Sequence, residues 1–238
     1  MIDFKNTLVI DIETISSTER YEDLNSRLQK QWDRKAALIK NEDNLTSEEL
    51  FYERAGIYAE FGKIICIAVG LFTKIKSNQL GLRIKAFGNP NEKEILDQFK
   101  DLIDDKLDGD SLILCAHNGK EFDFPYLCRR YLINGIEIPT ALQIAGKKPW
   151  EIKHLDTMEM WKFGDRKNYT SLDLLAALFG IESSKNTIDG SMVNKVYYQD
   201  EDLDQIIDYC KQDVLVTANL LLKLNLMPII QKENIVYV

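Results

Sequence analysis

The chain has 238 residues, 45% of them hydrophobic, and a formal net charge of −8 at pH 7. This length suits one large domain or two small ones, and the hydrophobic content is enough to build a sizeable core. The negative charge argues against broad, nonspecific binding of polyanions, because neutralising phosphates requires clustered Lys and Arg side chains. Any contact with nucleic acid must therefore be local.

Membrane insertion is not expected from the sequence. The longest stretches without a charged residue are far shorter than the roughly 18 apolar residues that a membrane-spanning helix needs. Residues 1–4 lack the basic and then apolar order of a signal peptide. We therefore predict a cytoplasmic protein without a membrane partner.

Cysteine and histidine give little indication of a metal site. The four cysteines lie in apolar stretches without C-x-x-C spacing, which predicts buried thiols rather than disulfides or a zinc site. The two histidines, His117 and His154, are too few for a histidine-rich site. The cysteines are Cys66, Cys115, Cys128 and Cys210.

The predicted elements alternate between strands and helices along the chain. The first strand spans 8–13 and is rich in β-branched residues. Asn91 followed by Glu94 resembles a capping box, and apolar residues then repeat on one face of the helix that follows. Further strands are predicted at 64–72, 80–87 and 111–116, and further helices at 124–132, 171–179 and 202–224.

Residues 15–62 form the main insertion between the predicted strands. This segment is charged, contains no proline and is predicted to be helical, so we do not expect a flexible linker. We predict that residues 1–238 form a single domain with this helical insertion. The apolar positions of the insertion are Leu24, Leu28, Trp32 and Leu38.

Two carboxylates end the first strand. Side chains two residues apart in a strand point to the same face, about 6.6 Å apart along the backbone, so Asp11 and Glu13 are neighbours. Val9 shares their face and apolar residues fill the other, which predicts a strand buried on both sides. Two such carboxylates repel one another unless a cation lies between them. The alternative is that Glu13 starts an exposed loop and Asp11 caps it.

A third acid follows the strand that ends at His117. The turn at Asn118 and Gly119 reverses the chain, and Asp123 stands just before a helix that has Pro125 among its first residues. Asp at the start of a helix is common because its side chain caps the free backbone N–H groups. Capping is therefore the alternative to a functional role for Asp123.

The fourth acid, Asp213, lies within the longest predicted helix. Helical spacing places it on the apolar, packed face of that helix. Tyr209, one turn earlier, projects from the same face, so its hydroxyl can reach the space in front of the carboxylate. The alternative is that both residues are only part of the core.

Taken together, the four acids predict a site for hard cations. Carboxylate ligands without His or Cys favour magnesium or manganese over zinc. Two such ions about 4 Å apart are the arrangement used for in-line displacement at phosphorus, where one activates water and the other stabilises the leaving oxygen. The chemistry implied is hydrolysis of a phosphodiester.

Three short segments carry a family resemblance: Asp-Ile-Glu-Thr at 11–14, Asn118 through Asp123, and Tyr209-x-x-x-Asp213. They resemble the three exonuclease motifs of the DEDD superfamily of 3′-to-5′ exonucleases, in its tyrosine branch. The resemblance spans nearly the whole chain and extends to the exonuclease domain of family-B DNA polymerases, in its stand-alone predicted form. It implies an α/β, ribonuclease-H-like fold with a mixed five-stranded sheet flanked by helices.

The resemblance also implies roles for individual residues. Tyr209 would orient or deprotonate the nucleophilic water, Thr14 would contact the terminal nucleotide, and Asn118 would support the substrate strand. His117 would contact a phosphate, or else form a hydrogen bond to the backbone. The ligands of two Mg2+ or Mn2+ ions would be Asp11, Glu13, Asp123 and Asp213.

Two further features are less specific. Asp156 is either a fifth acid near the site or the cap of a short helix, and we favour the cap. A local basic rim would supply the positive charge that nucleic acid requires, although surface lysines often only aid solubility. The candidates for this rim are Lys147, Lys148, Lys162, Arg166 and Lys167.

The sequence thus predicts a metal-dependent exonuclease that removes nucleotides from the 3′ end of single-stranded DNA and releases nucleoside 5′-monophosphates. One alternative keeps the same site but takes RNA as substrate. Another is a non-catalytic, nucleic-acid-binding scaffold that docks on a replication or repair protein. The complete set of acids together with Tyr209 argues against the scaffold, because binding alone does not require them.

Overall fold

A mixed β-sheet lies at the centre of the fold. The computed structural model describes residues 2–75, 79–165, 169–183 and 188–238, and within them the sheet has six strands. They are β1 (Thr7–Ser16), β2 (Gly62–Lys74), β3 (Leu80–Gly88), β4 (Ile113–Ala116), β5 (Leu155–Asp156) and β6 (Ile235–Tyr237). Their spatial order is β5-β4-β1-β2-β3-β6. β2 pairs antiparallel with both β1 and β3, and the other neighbours pair in parallel.

The predicted α/β class and mixed sheet are confirmed, but the described sheet has six strands rather than five. The additional strand, β6, pairs with residues 82–84 of β3 at the edge of the sheet. It has three residues, and Val236 and Tyr237 are exposed. A segment this short has too few residues to show the alternating pattern from which strands are predicted.

Helices cover both faces of the sheet. The predicted helices that start after Asn91, and at about 124, 171 and 202, are confirmed within one or two residues. A six-residue helix at 193–198 was not predicted. The helices are α1 (Ser26–Ala36), α2 (Ser47–Arg54), α3 (Glu92–Asp101), α4 (Asp123–Ile133), α5 (Thr157–Lys162), α6 (Leu172–Phe179), α7 (Val193–Tyr198) and α8 (Leu203–Leu224).

The strand β1 separates two parts of the core. Leu8, Ile10 and Ile12 pack with α3 and α4 on one face of the sheet. Val9 packs on the other face against α8, through Cys210 and other apolar residues. This alternation confirms that β1 is buried on both sides, and it directs Asp11 and Glu13 to the face that α8 covers.

Glycines allow α8 to approach the sheet closely. A Cβ atom at Gly70 of β2 would lie 2.7 Å from Cγ1 of Val214, and one at Gly88 of β3 would collide with Ile207. A larger residue at either position would push the helix away from the strands. The close approach brings Asp213, one residue before Val214, towards the strand that carries Asp11.

The segment between β1 and β2 contains α1 and α2. Trp32 is fully buried between Phe51 and Phe61, with ring centroids 5.3 and 5.1 Å apart, and its indole N–H donates to the Ser47 carbonyl at 2.8 Å. Leu38 lies beyond the end of α1 and is 85% exposed. Trp32, Phe51 and Phe61 belong to an apolar cluster of this segment, which Leu38 does not join. Its description as an insertion at 15–62 within a single domain stays a prediction.

The search for membrane-spanning elements gave none in the part of the chain that the structure describes, since no helix there combines sufficient length with sufficient apolarity. The longest helix, α8, has 22 residues, and its charged positions include Asp208 and Asp213. Its apolar residues pack against the sheet instead.

Candidate metal centre

Asp11 and Glu13 lie side by side on β1 and face α8. Glu13 is only 7% exposed and Asp11 is half-buried. One carboxylate oxygen of each residue and the Sγ atom of Cys210 all lie within 4.8 Å of one another. β1 continues to Ser16, so Glu13 does not start an exposed loop, and the simpler alternative for this pair is excluded.

Asp213 and Tyr209 project from α8 towards the same space, and both are at least nine-tenths buried. Burial, and then the nearby carboxylates of Asp213 and Glu13, raise the pKa of the Tyr209 phenol well above its usual value. The phenol therefore stays protonated. The spacing of one helical turn places its hydroxyl beside the Asp213 carboxylate, as the sequence predicts.

Asp123 is the first residue of α4 and is 4% exposed. Phe122 occupies the N-cap position, so Asp123 does not cap the helix in the usual way. A Cβ atom at Gly119 would collide with the Ala116 side chain, so the turn before α4 requires glycine for this close approach. Burial raises the pKa of Asp123 to about 7, and hydrogen bonds from its own backbone N–H and from that of Ile12 in β1 limit the rise.

The carboxylates act on one another electrostatically. Burial, and then the charges of Asp213 and Asp123, raise the pKa of Asp11 well above its usual value. Burial, and then Asp11, do the same for Glu13. Mutual effects of this kind require the side chains of β1, α4 and α8 to lie close together. The four predicted ligands are thus gathered in one place.

Three of these four carboxylates lack a basic partner among the residues that the structure describes. Within the described ranges, no ion pair joins Asp11, Glu13 or Asp123 to a basic side chain. Buried carboxylates without a basic partner are costly, and a divalent cation is the simplest compensation. The donor atoms are mostly carboxylate oxygens, which suit magnesium or manganese. The residues present therefore fit a hard divalent metal.

Asp156 is a cap rather than a fifth metal ligand. Its Oδ1 atom accepts hydrogen bonds from the backbone N–H groups of Met158 and Glu159 in the first turn of α5, at 2.9 and 3.2 Å. The same carboxylate accepts from the N–H groups of Asn118 and Lys120, at 3.0 and 3.1 Å. The favoured alternative is therefore confirmed, and Asp156 also holds the loop that precedes Asp123.

Asn118 has an unusual environment in that loop. Its φ of +63° lies in the left-handed region, which Asn tolerates better than most residues. Its side-chain oxygen is buried without a hydrogen-bond partner among the residues that the structure describes. A buried polar atom of this kind usually has a partner. Asn118 is thus available to contact a ligand, and its predicted role in supporting the substrate strand stays a prediction.

His117 is held by two hydrogen bonds. Its Nδ1 atom lies 2.8 Å from the Thr157 hydroxyl oxygen, and its Nε2 atom lies 2.8 Å from the Thr170 carbonyl oxygen. Burial lowers its pKa, so the neutral ring is favoured. These bonds agree with the backbone alternative. A phosphate contact by His117 would have to replace one of them.

A cleft of about 350 Å³ opens beside Glu13 and Thr14. Thr14 is half-buried at its edge. Tyr169 also lines the cleft and is 66% exposed. Sequence analysis did not single out Tyr169, because it lies in a loop without periodicity. The remaining lining includes Tyr52, Gly56, Phe122, Ser191 and Asn194.

The predicted basic rim is only partly assembled. Lys162 lies close enough to His117 to affect its pKa. Lys147 lines a different cleft with Asp110, at the start of β4, whereas the candidate site lies beyond the end of that strand. Lys148 covers the ring of Trp150 instead. The other two candidates, Arg166 and Lys167, fall outside the described residues.

Cys210 is the contact that sequence analysis missed. Its Sγ atom donates to Oδ2 of Asp11 at 3.2 Å, and Cys66 is also close to it. The prediction that Cys210 is a buried thiol is confirmed. The position of Cys210 beside the Asp11 and Glu13 carboxylates depends on how α8 packs on β1. Helical periodicity does not specify that packing.

Comparison with solved structures supports the fold. The chain is similar to the family B DNA polymerase from the hyperthermophilic archaeon Pyrobaculum calidifontis, with a TM-score of 0.58 and 17% sequence identity. The match covers 92% of this chain and 24% of the polymerase, so the chain spans about a quarter of that protein. At this identity the likeness concerns the fold, and it confirms the predicted ribonuclease-H-like class.

Comparison with protein families is more specific. Residues 57–233 match the model of a family described as a predicted 3′-5′ exonuclease related to the exonuclease domain of PolB. The match includes β2 through α8, and with them Asp123, Tyr209 and Asp213. Asp11 and Glu13 precede the matched range. The chain therefore belongs to the family of predicted 3′-5′ exonucleases related to the exonuclease domain of PolB.

Proposed function

We propose that this protein is a metal-dependent exonuclease that removes nucleotides from the 3′ end of single-stranded DNA and releases nucleoside 5′-monophosphates. The observation that supports the proposal is the cluster of buried carboxylates from β1, α4 and α8. Asp11, Glu13 and Asp123 have no basic partner in the described part of the chain. Membership of an exonuclease family adds to this support.

Two divalent cations, Mg2+ or Mn2+, are the proposed cofactors. Their ligands would be Asp11, Glu13, Asp123 and Asp213, which meet at one place on the face of the sheet that α8 covers. When bound, such ions activate the attacking water and stabilise the leaving oxygen. The protein contributes the fixed positions of the carboxylates on three packed elements, β1, α4 and α8.

Tyr209 is proposed to orient the attacking water by a hydrogen bond. The resemblance left open whether the phenol orients or deprotonates the water. Burial and the surrounding acids raise its pKa, so a phenolate is not available to act as a base in the protein alone. A protonated hydroxyl next to Asp213 still donates or accepts a hydrogen bond, which suits the orienting role.

The cleft beside Thr14 is proposed to hold the terminal nucleotide. Its volume of about 350 Å³ suits a single nucleoside. Tyr169 exposes most of its ring there, and exposed aromatic rings stack on bases with little sequence preference. Base stacking of this kind favours an unpaired, single-stranded end as the substrate.

Several finer predictions accompany this proposal. Asn118 is proposed to support the substrate strand through its unpartnered side-chain oxygen or the adjoining amide nitrogen. A phosphate contact by His117, an association with a replication or repair protein, and a cytoplasmic location all stay predictions. The same applies to a single domain comprising residues 1–238.

The central test is digestion of end-labelled oligomers. We expect a single-stranded DNA labelled at its 5′ end to shorten progressively in Mg2+ or Mn2+, and a 3′ label to be released at once as a nucleoside 5′-monophosphate. A chelator should stop both reactions. Failure to digest any 3′-ended oligomer with either metal would overturn the proposal.

Matched substrates refine the same experiment. Single-stranded RNA of the same sequence tests the alternative substrate, and faster digestion of RNA than of DNA would replace DNA in the proposal. Blunt duplex DNA should be digested more slowly than the single strand. Tight binding of strands without any digestion would favour the scaffold.

A further inference from the structure

Cys210 brings a sulfur atom to the two carboxylates of β1. Its Sγ atom lies 3.2 Å from Oδ2 of Asp11 and 3.5 Å from the Asp11 carbonyl oxygen. The Sγ atom and one carboxylate oxygen each of Asp11 and Glu13 all lie within 4.8 Å of one another. The group therefore offers one soft and two hard ligand atoms.

These separations suit a tetrahedral ion with mixed ligands. Zinc lies about 2.3 Å from sulfur and about 2.1 Å from oxygen, which places neighbouring ligand atoms about 3.6 Å apart in a tetrahedron. The observed 3.2 Å between sulfur and Oδ2 of Asp11 needs only a small adjustment to reach this value. A fourth position would remain for water or substrate.

Glu13 provides an independent indication of a ligand. It is more than nine-tenths buried, and its carboxylate has no hydrogen bond or ion pair with any described residue. Such a group is costly to bury unless something positive accompanies it. The thiol of Cys210 forms hydrogen bonds with Asp11 and Cys66, and among the described residues none joins it to Glu13, so it does not compensate for the Glu13 charge.

We propose that Asp11, Glu13 and Cys210 form a binding site for a thiophilic divalent cation such as Zn2+ or Cd2+. The site shares two carboxylates with the proposed Mg2+ centre. Binding forms a bond between the metal and sulfur and releases the thiol proton to solvent, with no change of oxidation state. A cation held in this way excludes Mg2+ from its ligands and inhibits the enzyme, a consequence that rests on the proposed function.

The other thiols provide a matched comparison. Cys115 on β4 is also fully buried in the core on the α8 side of the sheet, but it is not part of the group with Asp11 and Glu13. Replacing it by valine makes the same chemical change away from the proposed site. Cys115→Val should therefore leave cation binding intact, whereas Cys210→Val should remove it.

The experiment is a titration of the metal-free protein with Cd2+, followed by the ultraviolet charge-transfer absorption of a sulfur–cadmium bond. We expect wild type and Cys115→Val to give the band with the same Kd. Cys210→Val should lose the band or weaken binding at least about 100-fold, since loss of a ligand exceeds the effect of losing an outer partner. Cys210→Ser, which keeps a polar side chain, is the second variant if valine prevents folding.

Competition with Mg2+ completes the test. Added Mg2+ should raise the apparent Kd for Cd2+, because both cations require Asp11 and Glu13. An unchanged band in both Cys210 variants, or absence of the band in wild type, would overturn the inference. Nuclease assays in Mg2+ alone report on the proposed function separately, so failure of one proposal is distinguishable from failure of the other.

Discussion

Two buried glutamates in this protein have the same exposure and opposite surroundings. Glu92 at the start of α3 and Glu13 in β1 are each 7% exposed. Glu92 accepts hydrogen bonds from Nε and Nη2 of Arg130 at 2.8 and 2.6 Å, and from the Ile64 backbone N–H at 2.7 Å. Glu13 has acidic neighbours instead, of which Asp11 is the nearest in sequence.

The difference separates a structural charge from a functional one. Glu92 joins α3, α4 and β2, and Arg130 also donates to the Ala59 carbonyl, so its charge is compensated within the protein. Glu13 lacks such compensation in the described residues and needs a cation from solution. Glu92, which holds the fold together, is thus paired with Arg130 of the same chain. Glu13 has no such partner among the described residues, and there a metal is expected.

The largest expected effect comes from Glu13→Gln, which keeps the shape of the side chain and removes its charge. We expect exonuclease activity in Mg2+ to fall at least about 10,000-fold, as for other residues that act as part of one catalytic unit. The metal-free variant should be more stable than wild type at pH 8 by about 1 kcal/mol, because burial and Asp11 raise the pKa of Glu13 and so disfavour its ionised form. Denaturant titration and the oligomer assay measure the two effects.

The same substitution at the other glutamate should act in the opposite way. Glu92→Gln leaves Arg130 buried without its carboxylate, which we expect to lower the free energy of unfolding by about 3 to 5 kcal/mol. The activity of the fraction that remains folded should stay close to that of wild type. If Glu13→Gln destabilised the metal-free protein as much as Glu92→Gln, the distinction between the two sites would be wrong.

Mg2+ should stabilise the protein by binding at Glu13 and not at Glu92. At a Mg2+ concentration about 100 times the Kd, the free energy of unfolding should rise by about 2.7 kcal/mol. The Tm of wild type and of Glu92→Gln should both increase on addition of Mg2+ and return to the metal-free value with a chelator. Glu13→Gln should show little increase, and an equal increase in both variants would contradict the assignment of Glu13 as a ligand.

A substitution at Tyr209 tests whether the rate of hydrolysis can be lowered without weakening metal binding. Tyr209→Phe keeps the ring and removes the hydroxyl beside Asp213, so we expect hydrolysis to slow by about 30-fold, below the usual range for a general base. The Mg2+-dependent increase in Tm should be unchanged. Equal losses of rate and of metal binding would argue against an orienting role for the hydroxyl.

The sequence patterns predicted most of the fold and the set of acids, for identifiable reasons. β1 and α8 are long and strongly periodic, so the faces of Val9 and Asp213 follow from spacing alone. The contact between Cys210 and Asp11 joins residues 199 positions apart and depends on the rotation of a helix over a strand. Local patterns contain no information on that rotation.

The basic rim illustrates the same limit. Lys147 and Lys162 are similar surface lysines in the sequence, but the structure places the first beside Asp110, before β4, and the second near His117, after it. Tertiary packing decides which end of a short strand such as β4 a loop side chain reaches. The charge of the two lysines therefore could not show that only Lys162 lies near the site.

Asp156 is a third kind of buried carboxylate, because backbone N–H groups rather than a cation compensate its charge. A substitution there should give the smallest loss of stability. Asp156→Asn keeps one oxygen for Asn118, Met158 and Glu159, but it turns an amide N–H towards the N–H of Lys120. We expect the free energy of unfolding to fall by about 1 to 2 kcal/mol, the usual cost of an unmet buried hydrogen bond.

Asp202 supplies the matched control for Asp156, because within the described ranges its side chain accepts a hydrogen bond only from the Gln205 N–H at the start of α8. Asn caps a helix as well as Asp does. Asp202→Asn should therefore change the free energy of unfolding by only about 0.3 kcal/mol. The difference between the two variants in denaturant titrations then measures what the Lys120 contact adds. Since that contact holds the loop before Asp123, Asp156→Asn should also raise the Mg2+ concentration needed for half-maximal activity, and Asp202→Asn should not. If the two variants behaved alike in both measurements, Asp156 would be an ordinary helix cap with no influence on the metal centre.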